Sequence, residues 1–447
     1  MATYAPSYTP PLATSSPEPV VEQEGTPSWH PATRIAFRFC MIYFGLYVIT
    51  TQMLPAMALV LPDFGAIPPM RNLTLWVGHR LLGIADIPMQ PSGSGDRLFN
   101  WVHAFTLLLI ATATTVIWSI VARRRLHHER AFAWFRLFLR LAVATTFLSY
   151  GFAKVIPQQM PTLALTRLVE PFGNFSPMGV LWYSVGASPA YEIATGCAEV
   201  LGGLLLFLPA TTIVGALVCL MDATMIFLLN MTYDVPVKLF SFHLILMSLF
   251  LLAPNARRLL DLFILHRSTS LRAEPRVPRG MTGHRRLVVA TAIYGVLMFG
   301  LNVQNGIRSW HRFGAGAPKS LLYGIWDVKD IAIDGVARPV LNGDTTLVKR
   351  VIFQQNTAAA VQMMNDAIRR FGASVDTTRK QLTLLPSGSD AITLSPLSYQ
   401  RPDHEHLLID GMIDGRMTHL ALQFRDPDSF LQRSRGFHWV QELPFNR

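Results

Sequence analysis

The chain has 447 residues, of which 51% are hydrophobic and only 15% are charged. Soluble globular proteins carry about 25% charged residues, so this composition argues against a soluble enzyme and for a polytopic membrane protein. The formal net charge of +11 does not indicate a nucleic-acid partner, because the basic residues fall in short segments between apolar runs.

Residues 1–30 contain no Lys or Arg and are rich in Pro, Ser, Thr and Glu. They lack the basic start of a signal peptide and predict a disordered tail. Beyond them, seven stretches have the roughly 20 mostly apolar residues that a bilayer-spanning helix needs. These predicted spans run over residues 35–61, 98–122, 134–156, 189–209, 211–232, 235–254 and 286–307.

The arginines of the loops indicate the orientation of the spans. Segments 122–130 and 255–286 are both rich in Arg, and both lie on the same side of a seven-span protein. The side with the excess of Arg is normally the cytoplasm. We therefore predict a cytoplasmic N-terminus and an extracytoplasmic C-terminus in a bacterial inner membrane, with the lipid bilayer as the main partner. The outer segments 73–84 and 157–188 have the helical spacing or the aromatic residues of interfacial segments.

The character of the chain changes at residue 310. From there the apolar runs are shorter, apolar and polar residues alternate within them, and Asp-Gly and polar turns separate the runs. This pattern predicts a C-terminal antiparallel β-rich domain, either a small barrel or a sandwich. Residues 357–370 alone are also compatible with a short helix. The predicted organisation is a tail (1–30), two helices with an outer interfacial segment (31–130), a four-helix bundle (131–265), a basic cytoplasmic loop and last span (266–309) and the β-rich domain (310–447).

Charged side chains within spans are costly, so each one needs a reason. Lys154 and Lys238 are the only lysines of the membrane part, and both lie at the predicted outer ends of spans. They are either snorkelling side chains or members of a polar site with Glu192 and Asp234. The candidate polar membrane site comprises Lys154, Glu192, Glu199, Asp222, Asp234, Lys238 and His243.

Glu199 shares one helix face with Gly196 and Gly203 by its spacing, and Glu192 falls on the same face. Small residues permit close helix approach, so Glu199 is expected to lie against protein rather than lipid. It is either a hydrogen-bonded packing residue, a proton relay or a contact to a polar headgroup. His243 is expected to be either a hydrogen-bonded packing residue or a ligand.

Haem is not expected, because His103 is the only other histidine in a span. The Asp403–His406 run "DHEH" is expected to be a turn followed by a solvated strand, and we predict no metal site. The three cysteines form no CxxC pair and are expected to be buried apolar side chains.

Two short pieces resemble the DoxX-like family of four-helix bacterial membrane proteins: "YGFAKVIP" at residues 150–157 and "EVLGGLLLFLP" at 199–209. The resemblance covers residues 134–260, and the whole chain looks like longer members with an appended extracytoplasmic domain. It implies a bacterial cytoplasmic membrane and, for the better-known members, quinone-linked redox chemistry. It carries over no catalytic residue, although Lys154 and Glu199 fall in the matching pieces.

Three functions follow as hypotheses. The first is a redox-associated membrane subunit that holds a quinone near the outer face and works with a membrane or periplasmic protein partner. The second is a transporter of small solutes, for which the chain shows no inverted repeat. The third is a membrane-anchored binding or assembly protein that uses its C-terminal domain. Whether the chain is an enzyme, and which cofactor it takes besides a possible quinone, stays open from sequence alone.

Overall fold

A computed structural model describes residues 29–59, 61–90, 92–125, 127–160, 162–269, 280–339, 344–355, 357–386 and 396–446. The predicted tail therefore falls almost wholly outside the described residues, as does part of the basic loop. The helices are α1 (Pro31–Ile49), α2 (Met53–Met57), α3 (Pro68–Arg80), α4 (Leu98–Val121), α5 (Glu129–Val155), α6 (Leu165–Val169), α7 (Pro177–Gly186), α8 (Pro189–Leu206), α9 (Thr212–Thr232), α10 (Lys238–Leu252), α11 (Ala256–Phe263), α12 (Met281–Phe313) and α13 (Leu431–Ser434). The strands are β1 (Lys319–Ile333), β2 (Val336–Arg338), β3 (Val348–Gln355), β4 (Ala358–Met363), β5 (Ile368–Asp376), β6 (Gln381–Pro386), β7 (Leu397–Gln400), β8 (His406–Ile413) and β9 (Arg416–Arg425).

Six helical segments among the described residues are long and apolar enough to cross a membrane. They contain α1, α4, α5, α9, α10 with α11, and α12. The helical part with its appended β domain agrees with the predicted class of fold. The predicted fourth span forms α8, but this helix carries two glutamates and is not among the six. The number of spans therefore stays a proposal.

The first predicted span is wrong in its extent. The helix begins at Pro31 and ends at Ile49, and a turn separates it from the short α2. Pro55 in α2 has no backbone N–H to continue the helical ladder, and its ring would clash with the carbonyl of Thr51. The chain therefore bends before residue 55 instead of continuing straight to 61.

The loops on the predicted outer side contain helices of their own. The segment predicted at 73–84 lies mostly in α3, which packs on α4. The segment 157–188 contains α6 and α7. Residues 357–370 form the antiparallel strands β4 and β5, so the alternative of a short helix there is wrong. The alternation of buried side chains in β5, where Phe371 and Ala373 are buried, is the period of a strand.

The β domain is a closed barrel rather than a sandwich. Eight strands form an antiparallel ring in the order β1-β3-β4-β5-β6-β7-β8-β9, and β9 pairs with β1 to close it. The small β2 only extends β1 as a hairpin. Closure removes the free sheet edges that would otherwise pair with other chains. Inward-facing apolar side chains of all eight strands form one core.

Helix α5 is the centre of the helical part, and it packs against α1, α2, α8, α10 and α12. The barrel follows α12 directly and also contacts the segment that contains α6. Leu165 packs with Ile325 and Ile352 on the outer face of the barrel, and Gln362 donates a hydrogen bond to the Val169 carbonyl (3.1 Å). The barrel is thus attached to the bundle through α12 and through this second contact.

Candidate functional site

Helices α5 and α8 bring a buried ion pair together. The Nζ of Lys154 donates a hydrogen bond to Oε1 of Glu199 over 2.6 Å. The two residues are only 6% and 3% exposed. This pair answers the question that sequence left open for Lys154, which is not a snorkelling side chain.

Glycines let the two helices approach closely enough to form this pair. A Cβ on Gly196 would lie 2.7 Å from the backbone oxygen of Gly151. One on Gly203 would lie 2.8 Å from the Ala144 oxygen. Contacts this short leave room for hydrogen only, so α5 and α8 pack backbone to backbone. The predicted glycine face of α8 is therefore directed at α5.

Two further carboxyl groups interact with the same ammonium group through their charges. Glu192 is buried, accepts a hydrogen bond from the Met160 amide (3.0 Å) and interacts electrostatically with Lys154. Asp222 of α9 interacts electrostatically with both Glu199 and Lys154. We call these four residues the Lys154 cluster. One oxygen of each carboxyl group is buried and has no hydrogen-bond partner among the described residues: Glu192 Oε2, Glu199 Oε2 and Asp222 Oδ2.

The cluster has one cationic group for three acidic ones. Full ionisation of the acids would leave two uncompensated negative charges inside the bundle. Such a burial is expensive, and proteins avoid it by binding a proton or another partner. The arrangement is therefore suited to hold and release protons, and its partnerless oxygens are suited to accept hydrogen bonds from a ligand.

Lys238 belongs to a different group at the junction of α9 and α10. Its Nζ donates to Oδ1 of Asp234 (2.8 Å), as expected for an ion pair at that junction. The second partner is Asp96, whose carboxylate accepts the backbone N–H groups of Lys238 (2.7 Å) and Leu239 (2.9 Å). Asp96 therefore caps the N-terminus of α10 from a segment 142 residues earlier in the chain. Sequence reasoning missed this residue, since no local pattern reports a cap supplied from so far away.

Replacement of Asp96 by alanine is expected to lower the free energy of unfolding by about 1–2 kcal/mol, because two backbone donors of α10 lose their acceptor. Asp86, an exposed residue of the same connection, provides the control as Asp86→Ala. Equilibrium unfolding in detergent micelles measures both. Equal stability of the two variants would contradict the capping role.

His243 lies apart from both groups, between α10 and α1. Its Nδ1 is 2.7 Å from the Leu239 carbonyl, which can only accept, so Nδ1 carries the proton. Nε2 therefore accepts a hydrogen bond from the Tyr43 hydroxyl (2.8 Å). The ring also stacks on Tyr47 at a centroid distance of 3.8 Å. His243 thus has the features of a hydrogen-bonded packing residue.

The other histidines with a predicted role are also hydrogen-bonded. His103 contacts the hydroxyls of Thr74 (3.0 Å) and Thr50 (2.9 Å) through its two ring nitrogens. In the "DHEH" run, Asp403 accepts hydrogen bonds from the backbone and ring of His406. The bond from the ring of His406 holds the pKa of Asp403 below its usual range. This run is a turn that enters β8, as predicted.

The seven predicted site residues therefore form three groups. Four of them converge in the Lys154 cluster, while the pair of Asp234 and Lys238 and the single His243 have partners elsewhere. Sequence reasoning identified all four members of the cluster. It also expected Gly196 to lie on the face of Glu199, but it gave Lys154 a partner in Glu192 rather than Glu199.

Comparisons with known proteins give one relative. No family model matches the chain, and no solved structure matches it. The chain is 32% identical over 131 residues to the uncharacterized protein YwoB of Bacillus subtilis (strain 168). The alignment covers 29% of this chain and 80% of YwoB. Through this part of its sequence, the chain belongs to the same family as YwoB.

Proposed function

We propose that the chain is a redox-associated subunit of a bacterial inner membrane, and that the Lys154 cluster binds a quinone headgroup and exchanges protons with it. The observation that carries this proposal is a set of three acids that interact with one buried ammonium group. Each has a buried oxygen without a hydrogen-bond partner among the described residues. Reduction of a quinone to a quinol takes up two electrons and two protons. The cluster supplies groups for the protons, and a partner protein supplies the electrons.

The chemistry of the cluster suits such a ligand. A quinone carbonyl accepts a hydrogen bond from an ammonium or a protonated carboxyl group, and a quinol hydroxyl donates one to a carboxylate. Tyr150, one turn before Lys154, interacts electrostatically with Glu199 and accepts a hydrogen bond from Gln52 (3.0 Å). Intramembrane ionisable groups of this kind mark proton relays and ligand sites. The resemblance to DoxX-like proteins adds a second line of support.

The orientation belongs to the same proposal. Arg34 donates to the Arg125 carbonyl (3.3 Å) and Arg38 to the Ser119 hydroxyl (2.9 Å). The start of α1 thus lies beside the Arg-rich segment 122–130. An excess of Arg favours the cytoplasmic side, so the bundle has its N-terminus inside and its barrel outside. The seven-span arrangement, with α8 as the fourth span, is consistent with this orientation.

Quinone extraction tests the proposal. The full chain is purified in mild detergent, its lipids are extracted, and quinone is quantified by mass spectrometry beside a visible spectrum. We expect quinone to co-purify with the wild-type protein. Glu199→Gln should retain about tenfold less quinone, since a hydrogen bond to a charged group contributes about 1.5–3 kcal/mol.

Asp234→Asn is the control, because Asp234 lies in the separate group at the start of α10. It should retain as much quinone as the wild type. A quinone content in the wild type no higher than that of an unrelated membrane protein prepared in the same way would overturn the proposal. Equal loss from both variants would place the quinone away from the Lys154 cluster.

A second candidate function, a membrane-anchored binding or assembly protein, is favoured by the barrel. The helix α12 is joined to one end of the barrel, and the α6 segment contacts its outer face, so most of the barrel surface remains available to a partner protein. If the bundle is only an anchor, deletion of residues 310–447 should abolish the binding of a partner protein. If the redox role is correct, the deletion should leave quinone binding intact.

A further inference from the structure

The barrel is filled at one end and hollow at the other. Trp326, Phe353 and Leu407 fill the interior of one end and are fully buried. At the other end is a cavity of about 310 Å³. Its apolar wall is formed by residues of the barrel core, among them Val351, Phe371, Leu384, Ile409 and Leu420. Eight strands enclose an interior that is either filled by side chains or able to hold one small ligand.

The cavity lies at the end of the barrel away from α12. Strand β3 begins with Val348, which lines the cavity, and ends at Gln355. The side chain of Gln355 donates a hydrogen bond to the carbonyl of Phe313, the last residue of α12 (3.0 Å). The open end is therefore separated from α12 by the length of the strand.

Two arginines line the mouth of this cavity from inward-facing positions. Arg369 precedes the buried Phe371 and Ala373 by two and four residues on β5. Arg416 precedes the buried Leu420 and Leu422 by four and six residues on β9. Because side chains alternate along a strand, each arginine shares the face that forms the core. In the ring of eight strands β5 and β9 are four strands apart, so the arginines lie on opposite sides of the mouth.

The side chain of neither arginine forms a hydrogen bond or an ion pair with any residue that the structure describes. Other charged groups of the barrel have partners, such as Lys349 with Asp366 (2.6 Å). Of the acidic groups at this end, Asp414 also lines the mouth, in the turn before Arg416. Asp344 accepts hydrogen bonds from the backbone and hydroxyl of Thr346. Two cationic groups on the inward face of an apolar cavity thus lack a negative partner in the part of the chain that the structure describes.

We propose that the barrel binds a small anionic amphiphile, with its apolar chain in the cavity and its carboxylate between Arg369 and Arg416. Guanidinium groups bind carboxylates through paired hydrogen bonds, which an ammonium does not provide. The cavity has about twice the 150 Å³ volume that holds benzene and is at the lower end of the usual range for ligand sites. It suits a short aliphatic acid that arrives from the aqueous phase rather than a lipid of the bilayer. This site is independent of the bundle and of its proposed redox role.

Photolabelling tests the site in the full chain. The protein is placed in nanodiscs of phosphatidylcholine and irradiated with octanoate that carries a diazirine on its chain, and mass spectrometry maps the label. We expect the label on peptides of residues 344–420, with competition by unlabelled octanoate but not by octanol. The double variant Arg369→Ala/Arg416→Ala should lower labelling about tenfold or more.

Arg370→Ala is the matched control, since Arg370 is the next residue of β5 and occupies the outward face. It should label as the wild type does. Val361→Phe, which fills the cavity from β4 and keeps both arginines, should also abolish labelling. Thermal unfolding of each variant shows that the barrel is folded. Equal labelling of wild type and double variant, labelling confined to the helices, or competition by phosphatidylglycerol in the nanodisc would each overturn the proposal.

Discussion

Lys154→Met is expected to lower the free energy of unfolding by about 3–5 kcal/mol, the typical cost of removal of one partner from a buried ion pair. The Lys154 ammonium is 2.6 Å from Glu199, and no other cationic side chain of the described residues forms an ion pair with Glu199. Removal of this ammonium leaves the three carboxyl groups of the Lys154 cluster without their cation. Equilibrium unfolding in mixed micelles of mild and denaturing detergent measures the loss of stability.

The double variant Lys154→Met/Glu199→Leu separates the charge from the packing. Replacement of a buried pair by apolar residues of similar volume is often neutral, so the double variant should recover most of the stability. Lys238→Met is the control. Its partner Asp234 has an 84% exposed side chain, and exposed ion pairs contribute about 0–1 kcal/mol. Equal losses in Lys154→Met and Lys238→Met would show that the pair with Glu199 is not buried in solution.

The two lysines show how far sequence reasoning reaches. Their shared position at the ends of neighbouring spans marked both as unusual, and this inference needs only hydropathy and composition. Which carboxylate each one contacts depends on helix packing. Lys154 and Glu199 are 45 residues apart, and their contact requires the close approach of α5 and α8. The predicted site contains four acidic candidates for the two lysines, and only the fold selects among them.

Secondary structure was likewise predictable where its signal is local and not where it depends on the fold. Helix α9 was predicted to within one residue at its start because its apolar run ends at clear turn signals on both sides. The barrel strands followed from alternation and from the Asp-Gly turn at residues 414 and 415. The end of α1 was missed, because the stretch up to residue 61 is mostly apolar, and the only local signals of the bend are the polar run Thr50–Gln52 and Pro55. The closure of β9 on β1 has no local signal, so a barrel and a sandwich were equally compatible with the sequence.

The arginines of the barrel illustrate a different limit. Arg369 and Arg370 are adjacent and identical in type, and no composition argument separates them. The register of β5 places one on the inward face and the other on the outer surface. A functional interpretation of Arg369 therefore needs the strand pairing, which sequence reasoning did not supply.

The glycine contact between α5 and α8 sets the geometry of the Lys154 cluster. A Cβ on Gly196 would lie 2.7 Å from three atoms of α5, namely the Gly151 oxygen, the Lys154 Cβ and the Val155 nitrogen. Two of these are backbone atoms, which cannot move without displacement of the helix. Even a single methyl group at this position must therefore push α8 away from α5.

Gly196→Ala is accordingly expected to lower the free energy of unfolding by about 1–3 kcal/mol, as overpacking does in other cores. It should also weaken the proposed quinone binding, because separation of the helices lengthens the contact between Lys154 and Glu199.

Gly300→Ala in α12 is the matched control, since no atom lies within 4 Å of its added Cβ. There the better helix propensity of alanine should raise stability by about 0.5–1 kcal/mol. The two variants make the same chemical change, so opposite signs in one unfolding assay would isolate the helix contact as the cause. A stabilised Gly196→Ala would mean that α5 and α8 are not in backbone contact and that the Lys154 cluster has a looser geometry.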